Sequence, residues 1–570
     1  MTAISADGLR PGLRDFGARL LDAASASHAR VAAFLLVMSL VCFLPGFFNI
    51  PPIDRDEARF AQATKQMIES GDYVDIRFQD EVRYKKPPGI YWLQAAAVRA
   101  GEALGVPQAR TTIWLYRIPS LVGALAAVLL TYWIALAFVS RRTACVAALM
   151  LAASILLGVE ARLAKTDAMQ LAESLAAMGV LARAYLDKDA PRAPGWLMPA
   201  VFWTAIAGGV LLKGPVILMI VALPAVALSL LDRSARWLLR LRPAAGVLWS
   251  LLLVLPWFVA IVGRSGDAFF VDSVGGDLVS KLTGGQETHG APPLTYLALF
   301  WLTFWPAAPL AALAAPAIWR RRREAPIRFL LAWLVPAWIA FELVPTKLPH
   351  YVLPLYPAIA ILVAWAIEQQ ALSRRRWVVR ITVHWPLIAA ILSVGAVIAV
   401  MALRRQLGFL AWPFAAGAMI FGFFAWRLFE EDGAERSFVR AAVAAQLVSI
   451  AVFGAALPLL HPLFPSAMLA ETVAPRCEHP RFAAAGYHEP SLVFLFGTAT
   501  LLTDGPGAAD FLGEGGCRFA MVEARQERSF AQRAEAIGLR YAAGPRVDGI
   551  NFNAGGHAIA IAVYRSEPKP

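Results

Sequence analysis

The sequence predicts an α-helical polytopic membrane protein of about thirteen spans, followed by a small C-terminal α/β domain. Three observations lead there. Of 570 residues, 58% are hydrophobic and only 16% are charged, against about 25% charged in an ordinary soluble domain. Mean hydropathy is +0.57. Apolar runs of roughly 20 residues, the length that crosses a bilayer, recur along the chain and stop near residue 460. This apolar content excludes both a soluble globule and a disordered chain. Lys and Arg number 53 against 40 Asp and Glu, a net +13. In a membrane protein that excess belongs to cytoplasmic loops and is no sign of nucleic-acid binding.

Residues 1–29 are polar and carry Arg10, Arg14 and Arg19. No small-residue cleavage site follows a short apolar run, so they do not read as a cleaved signal peptide. The first apolar run covers 31–48. Twelve more follow at 117–139, 142–159, 167–186, 196–212, 214–231, 244–263, 293–318, 327–344, 351–369, 381–402, 408–428 and 437–458. Arg141-Arg142, Arg233 to Arg242, Arg320 to Arg323, Arg374 to Arg376 and the N-terminal arginines fall on one side of this arrangement. That side is cytoplasmic by the Lys/Arg bias, with Arg404-Arg405 as one exception. An odd number of spans puts the C-terminus outside, in the periplasm of a Gram-negative cell. The expected organisation is a membrane domain over 1–459 with outer loops 49–112 and 264–292, then a periplasmic α/β domain over 460–570. In the latter, Ser491 to Phe496, Arg518 to Val522 and Ala558 to Tyr564 read as strands, and Gln526 to Ile537 as a helix. Cys42 and Cys145 lie in apolar runs. Cys477 and Cys517 could pair if the C-terminal part is extracytoplasmic. No spacing resembles a metal site, so metal-independent chemistry is expected.

Five polar insertions map to the outer face. The first loop opens with Asp54-Arg55-Asp56-Glu57-Ala58-Arg59-Phe60, and Phe60, Thr64, Met67 and Ile68 follow at helical spacing. Asp54 or Asp56 can cap that helix, whose stripe suits a membrane surface. Capping alone would also explain the acidic pair. The loop continues to Tyr84-Lys85-Lys86-Pro87, where the lysines could hold a phosphate or merely anchor the interface. Glu160 and Asp167 flank the junction of two spans; ionisable residues there are functional candidates, with a structural ion pair as the alternative. Lys213, then Lys281 and His289, then Lys347-Leu348-Pro349-His350-Tyr351 complete the set. Together they outline a polar cavity of carboxylates and cations. His289 or His350 alone would more often be structural.

In these motifs the chain resembles the polyprenyl-phosphate-sugar-dependent membrane glycosyltransferases of the GT-C class, which include the protein O-mannosyltransferases. It looks most like the lipid A 4-amino-4-deoxy-L-arabinose transferases. The resemblance implies a GT-C fold, a periplasmic active site at a bacterial inner membrane, and transfer from an undecaprenyl-phosphate-linked sugar to lipid A or a lipopolysaccharide precursor. It implies no cofactor beyond the lipid-linked donor, with membrane lipids as partners and resistance to polymyxin-like cationic peptides as the consequence. Residue by residue, Asp56 and Asp167 match the catalytic acidic positions, Lys86 and Lys281 the contacts to lipid phosphate, Tyr84 and Tyr351 the pocket wall, and Lys213 a partner of Asp56. Glu57, Arg59, Lys85, Glu160, His289 and Lys347 are further substrate-binding candidates. Two positions depart from the pattern: Lys85 stands where members carry Glu, and Ala168 where some carry Pro. A GT-C enzyme acting on protein or another glycan, and a transporter or flippase, are the alternatives. The latter would call for paired inverted repeats, which the sequence does not display.

Overall fold

Each apolar run folds as one helix or as two short helices meeting at a break. The computed structural model describes residues 16–190, 195–272, 290–405, 407–473 and 477–567. Seven of its helices are long and apolar enough to cross a membrane, among them Ile113–Ala135, Pro243–Ser265 and Ala325–Leu343. His28–Phe43, Leu197–Lys213 and Val216–Leu231 are apolar but shorter. The run 142–159 divides into Arg141–Ala152 and Ile155–Glu160, and 293–318 into Thr295–Thr303 and Ala308–Arg320. In the second case Pro306 supplies no helical N–H at the break. The pieces are too short to span singly, and among the described residues seven helices, against the thirteen runs expected, are long and apolar enough to cross a membrane on their own.

Burial separates the helices by role. Asp167–Leu186, Arg141–Ala152 and Tyr356–Glu368 are almost wholly buried. Pro243–Ser265 and His384–Arg404 are apolar all round and mostly exposed, as expected of helices facing lipid. Two glycines set the closest approaches. A Cβ on Gly123 would lie 2.6 Å from the Met169 backbone nitrogen, and one on Gly89 would lie 2.7 Å from the Leu211 carbonyl oxygen. The first seats Ile113–Ala135 against the start of Asp167–Leu186. The second seats the segment after Lys86-Pro87 against the end of Leu197–Lys213. Both contacts locate charged residues, Asp167 in the first case and Lys86 and Lys213 in the second.

Loop 49–112 is itself folded. It holds the helices Asp56–Ser70 and Gly89–Ala103 and a short hairpin, Arg77–Phe78 with Glu81–Val82. The predicted stripe exists, yet Phe60, Thr64, Met67 and Ile68 are buried in protein rather than laid on a membrane surface. Neither predicted cap operates. Arg55 is the N-cap residue, without a side-chain bond, and Asp54 turns elsewhere.

The C-terminal domain is a mixed five-stranded sheet in the order Leu501–Thr503, Arg481–Ala485, Arg518–Glu523, His557–Ser566, Tyr541–Asn551. The first three strands are parallel and the last two antiparallel to their neighbours. Alternation along the strands builds two cores. Phe482, Ala484 and Met521 face one side; Ala483, Ala485, Ala520 and Val522 face the other. The predicted strands at 518–522 and 558–564 and the helix at 526–537 match elements at Arg518–Glu523, His557–Ser566 and Glu527–Ala536. Ser491 to Phe496 does not: it belongs to the helix Pro490–Phe496. A short apolar run cannot distinguish strand from helix by periodicity, and the better signals were Pro490 at its start and Gly497 at its end.

Cys477 and Cys517 are joined, closing a loop with a sequence separation of 40. Loop-closure entropy for that length amounts to about 4 kcal/mol. Cys477→Ser/Cys517→Ser is therefore expected to lower the thermal midpoint of this domain by several degrees, read by calorimetry on the detergent-solubilised chain. An unchanged midpoint would count against the cross-link.

Candidate functional site

The segment leading into helix Asp56–Ser70 is held from two sides. From the membrane side, Arg117 forks onto Glu57: Nε donates to Oε1 at 2.8 Å and Nη2 to Oε2 at 2.9 Å. The same guanidinium donates to the carbonyls of Phe47, Ile50 and Pro51 at 3.0, 2.8 and 3.1 Å. Glu57 also accepts from the backbone N–H groups of Ile53 and Ala164, each at 2.9 Å. Both side chains are buried. Glu57 thus has its acceptor capacity filled by protein, and it fixes the loop instead of presenting itself to a ligand as expected.

From the other side, the C-terminal domain grips the same segment. Asp54 accepts from Ser491 N–H at 2.9 Å and from the Tyr487 hydroxyl at 3.4 Å. Arg55 donates to the Asn553 carbonyl at 2.7 Å and lies 3.9 Å from Glu489. Arg55 has φ 71, a strained value for a side-chain-bearing residue. Such strain persists only where surroundings over-determine it, as these two grips do. The next residue, Asp56, is exposed and, among the described residues, has neither a hydrogen bond nor an ion pair.

Burial lifts the Asp54 carboxyl from 3.8 to about 6, against the opposing pull of the Ser491 bond. The folded value exceeds the unfolded one, so the contribution to stability is complete below 3.8 and is lost as pH rises through about 6. Asp54→Asn is expected to reduce the fall in thermal midpoint across that window relative to the unsubstituted chain. Identical pH slopes for the two proteins would refute this assignment.

A second cluster forms where four membrane-domain elements meet. Helix Ile155–Glu160 ends on Glu160, and Asp167 begins Asp167–Leu186. Lys213 ends Leu197–Lys213, and His350 lies in the 3₁₀ segment Pro349–Leu355. Lys165 Nζ is 3.2 Å from Glu160 Oε1 and 3.6 Å from Asp167 Oδ2. Lys213 pairs with Asp167. His350 Nδ1 is 3.6 Å from Glu160 and Nε2 is 3.6 Å from Asp167. Lys213 also stands over the Tyr351 ring at 5.4 Å. Two carboxylates and two ammonium groups balance in charge, as burial requires. Glu160 Oε2 remains a buried acceptor without a partner among the described residues. Asp56 acts electrostatically on Lys165, and Lys86 on His350, so both belong to the surroundings of this cluster.

The structure brings Glu160, Asp167, Lys213 and Tyr351 together with Lys165 and His350, while Asp56 and Lys86 act on that cluster through their charge. It corrects the partner of Lys213, which is Asp167 and not Asp56. Tyr84 is buried against Phe269, 5.6 Å between ring centroids. Lys347 is turned inward, donating to the carbonyls of Ala291 and Val344 at 3.1 and 2.9 Å, which makes it a loop fastener rather than a substrate contact. Lys85 is exposed and Arg59 half-buried. Lys281 and His289 lie outside the described residues. Sequence reasoning passed over Lys165 and Arg117, and read His350 as more often structural. Arg117 had a signal: an arginine inside an apolar run demands a partner. Glu160, Asp167 and His350 offer donor atoms within 4.8 Å of one another, a metal-ligand composition that spacing had not revealed. Lys165 and Lys213 already lie against those carboxylate oxygens, so a divalent ion would compete with two resident cations.

The family described as dolichyl-phosphate-mannose-protein mannosyltransferase matches residues 85–259. An undecaprenyl phosphate-α-4-amino-4-deoxy-L-arabinose arabinosyl transferase of Pseudomonas aeruginosa is 30% identical over 346 residues, 58% of this chain and 60% of the relative. A protein of the same description from Pectobacterium carotovorum is 27% identical over 335 residues, 57% of each. The chain thus spans about 60% of the length of the curated relatives it matches. ArnT from Cupriavidus metallidurans, solved in the apo state, superposes with a TM-score of 0.72 at 19% identity, over 94% of this chain and 98% of that one. The same protein bound to undecaprenyl phosphate gives 0.70. Helical bundle and C-terminal sheet domain share the fold of ArnT, and the matched segment and sequence likeness make the chain similar to the protein-mannosyltransferase family and to ArnT-like aminoarabinose transferases.

Proposed function

We propose that this chain transfers a sugar from a polyprenyl-phosphate carrier at the periplasmic face of a bacterial inner membrane. The donor we assign is undecaprenyl-phosphate-linked 4-amino-4-deoxy-L-arabinose, and the acceptor a phosphate of lipid A. The observation that carries this reading is the cluster of Glu160, Lys165, Asp167, Lys213 and His350 drawn from separate stretches of the chain, with the exposed carboxylate of Asp56 acting on Lys165 through its charge. The likeness to undecaprenyl phosphate-α-4-amino-4-deoxy-L-arabinose arabinosyl transferases supports the donor. The Cys477–Cys517 cross-link fits an oxidising compartment for the outer domain.

In this reaction the anomeric C–O bond to the carrier breaks and its electron pair leaves with the carrier phosphate. A new C–O bond forms to the acceptor oxygen. Lys86 stabilises the charge gained by the leaving phosphate, more strongly at a dry membrane edge than in water. An acceptor phosphate is already ionised, so no strong base is needed; Asp56 orients the acceptor or balances the ammonium group of the sugar. Asp167 holds Lys213 and Lys165 in place. The Lys281 assignment rests on resemblance alone.

The product carries a new ammonium group beside a lipid A phosphate, which weakens attraction for cationic peptides. Lipid A mass spectra of cells without the gene are expected to lack an aminopentose addition that returns when the gene is restored. Unchanged spectra would remove the lipid A assignment. Lys85 and Ala168, where members carry Glu and Pro, favour one second reading, a GT-C transferase with another acceptor. Loss of a protein-bound or other glycan, with lipid A unaltered, would select it.

A further inference from the structure

The end of the bundle remote from the charged cluster carries a second basic feature. The span Pro349–Glu368 starts beside His350 and ends at the segment 369–375. At 1.5 Å per residue its two ends are on the order of 30 Å apart. At the far end a cleft of about 840 Å³ opens between helix Ala308–Arg320 and residues 371–381. Arg320, Arg374, Arg375 and Arg380 line it together with Ser373, and no carboxylate does. Among the described residues none of these four guanidiniums has an ion-pair partner. Three other arginines at this end are paired, Arg142 with Asp22 and Glu435, Arg321 with Glu324, and Arg328 with Asp232, whereas Arg233 and Arg236, unpaired among the described residues, do not converge on this cleft with the others. Orienting the chain in a membrane needs positive charge but not its convergence on one cleft.

The remaining walls are apolar. Ala312 and Pro316, one turn apart on the helix, leave the floor shallow, and Ile381 faces them. Trp377 at the rim is 71% exposed, as tryptophans at headgroup level are. The cleft belongs to the fold, because Ser373 N–H donates to the Leu313 carbonyl at 2.9 Å and pins the segment onto the helix.

We propose that this cleft binds an anionic glycerophospholipid, its phosphate held by the arginines and its glycerol and acyl chains laid along the apolar wall. Guanidinium groups suit phosphate oxygens through paired N–H donors, and basic pockets between spans are suited to anionic headgroups. A free phosphate ion would use the arginines but leave the apolar wall uncovered.

The test uses the full chain in phosphatidylcholine nanodiscs doped with phosphatidylglycerol or cardiolipin, with retained lipid read by native mass spectrometry. The unsubstituted chain is expected to retain the anionic lipid. Arg375→Gln/Arg380→Gln is expected to weaken retention about twentyfold, from the contribution of each surface arginine. Arg233→Gln/Arg236→Gln removes equal charge at the same end outside the cleft and is expected to change little. Arg375→Lys/Arg380→Lys keeps the charge and should retain intermediate binding. Equal losses in the two Gln pairs, displacement by inorganic phosphate as effective as by lipid, retention of polyprenyl phosphate instead, or no retained lipid at all would each overturn the proposal.

Discussion

Arg117→Met is expected to destabilise the chain by about 3–5 kcal/mol. The guanidinium is buried, forks onto both oxygens of Glu57 and donates to three backbone carbonyls of the entry segment. Methionine fills much of its volume but leaves the Glu57 carboxylate charged and without a cation in a place closed to water. Three carbonyls lose their donor as well. Adding Glu57→Gln removes the stranded charge, so the double variant is expected to recover part of the loss. The measurement is the thermal midpoint of detergent-solubilised protein, followed by size-exclusion chromatography after heating. A single variant with the midpoint of the unsubstituted chain would show that the pair does not carry the loop.

Asp56→Asn is expected to leave that midpoint unchanged and to reduce sugar transfer at least about 100-fold. The two halves of this expectation have one source. Asp56 is exposed and without a bonded partner among the described residues, so the fold does not depend on its charge. The neighbours that fix its position, Arg55 and Glu57, are untouched by the substitution. The pH dependence of the residual and full activities separates two roles. A base acting on a hydroxyl gives a rate that rises with pH in the native enzyme and a flat profile in the variant. An orienting carboxylate beside an ionised acceptor leaves the two profiles parallel. Full activity in purified Asp56→Asn would sink the assignment.

Much of this was legible in the sequence, for physical reasons that differ by element. Membrane helices announce themselves because each must be apolar along its whole length; even the broken one at 293–318 was visible as a run, though its break was not. Asp167 and Lys213 stood out because charge at a membrane end is costly without cause. Partnership was not legible. Lys213 reaches Asp167 because Leu197–Lys213 packs on Asp167–Leu186, whose start Gly123 seats against Ile113–Ala135. Glu57 and Asp56, adjacent in sequence, take opposite roles because one helical step points the first at Arg117 and the second at open space. Pro490–Phe496 escaped because so short an apolar run fits either period.

The double grip on residues 53–57 has a bearing on how such a protein can be cut or recombined. A fragment ending after the last membrane helix would retain Glu160, Lys165, Asp167, Lys213 and His350, yet lack Ser491, Tyr487 and the Asn553 carbonyl that steady Asp54 and Arg55. Its charged interior would be intact and its exposed acid poorly aimed. Exchanging the outer domain between relatives would likewise transplant half of a mould, so a working hybrid must carry the 53–57 segment and its matching wall from the same parent.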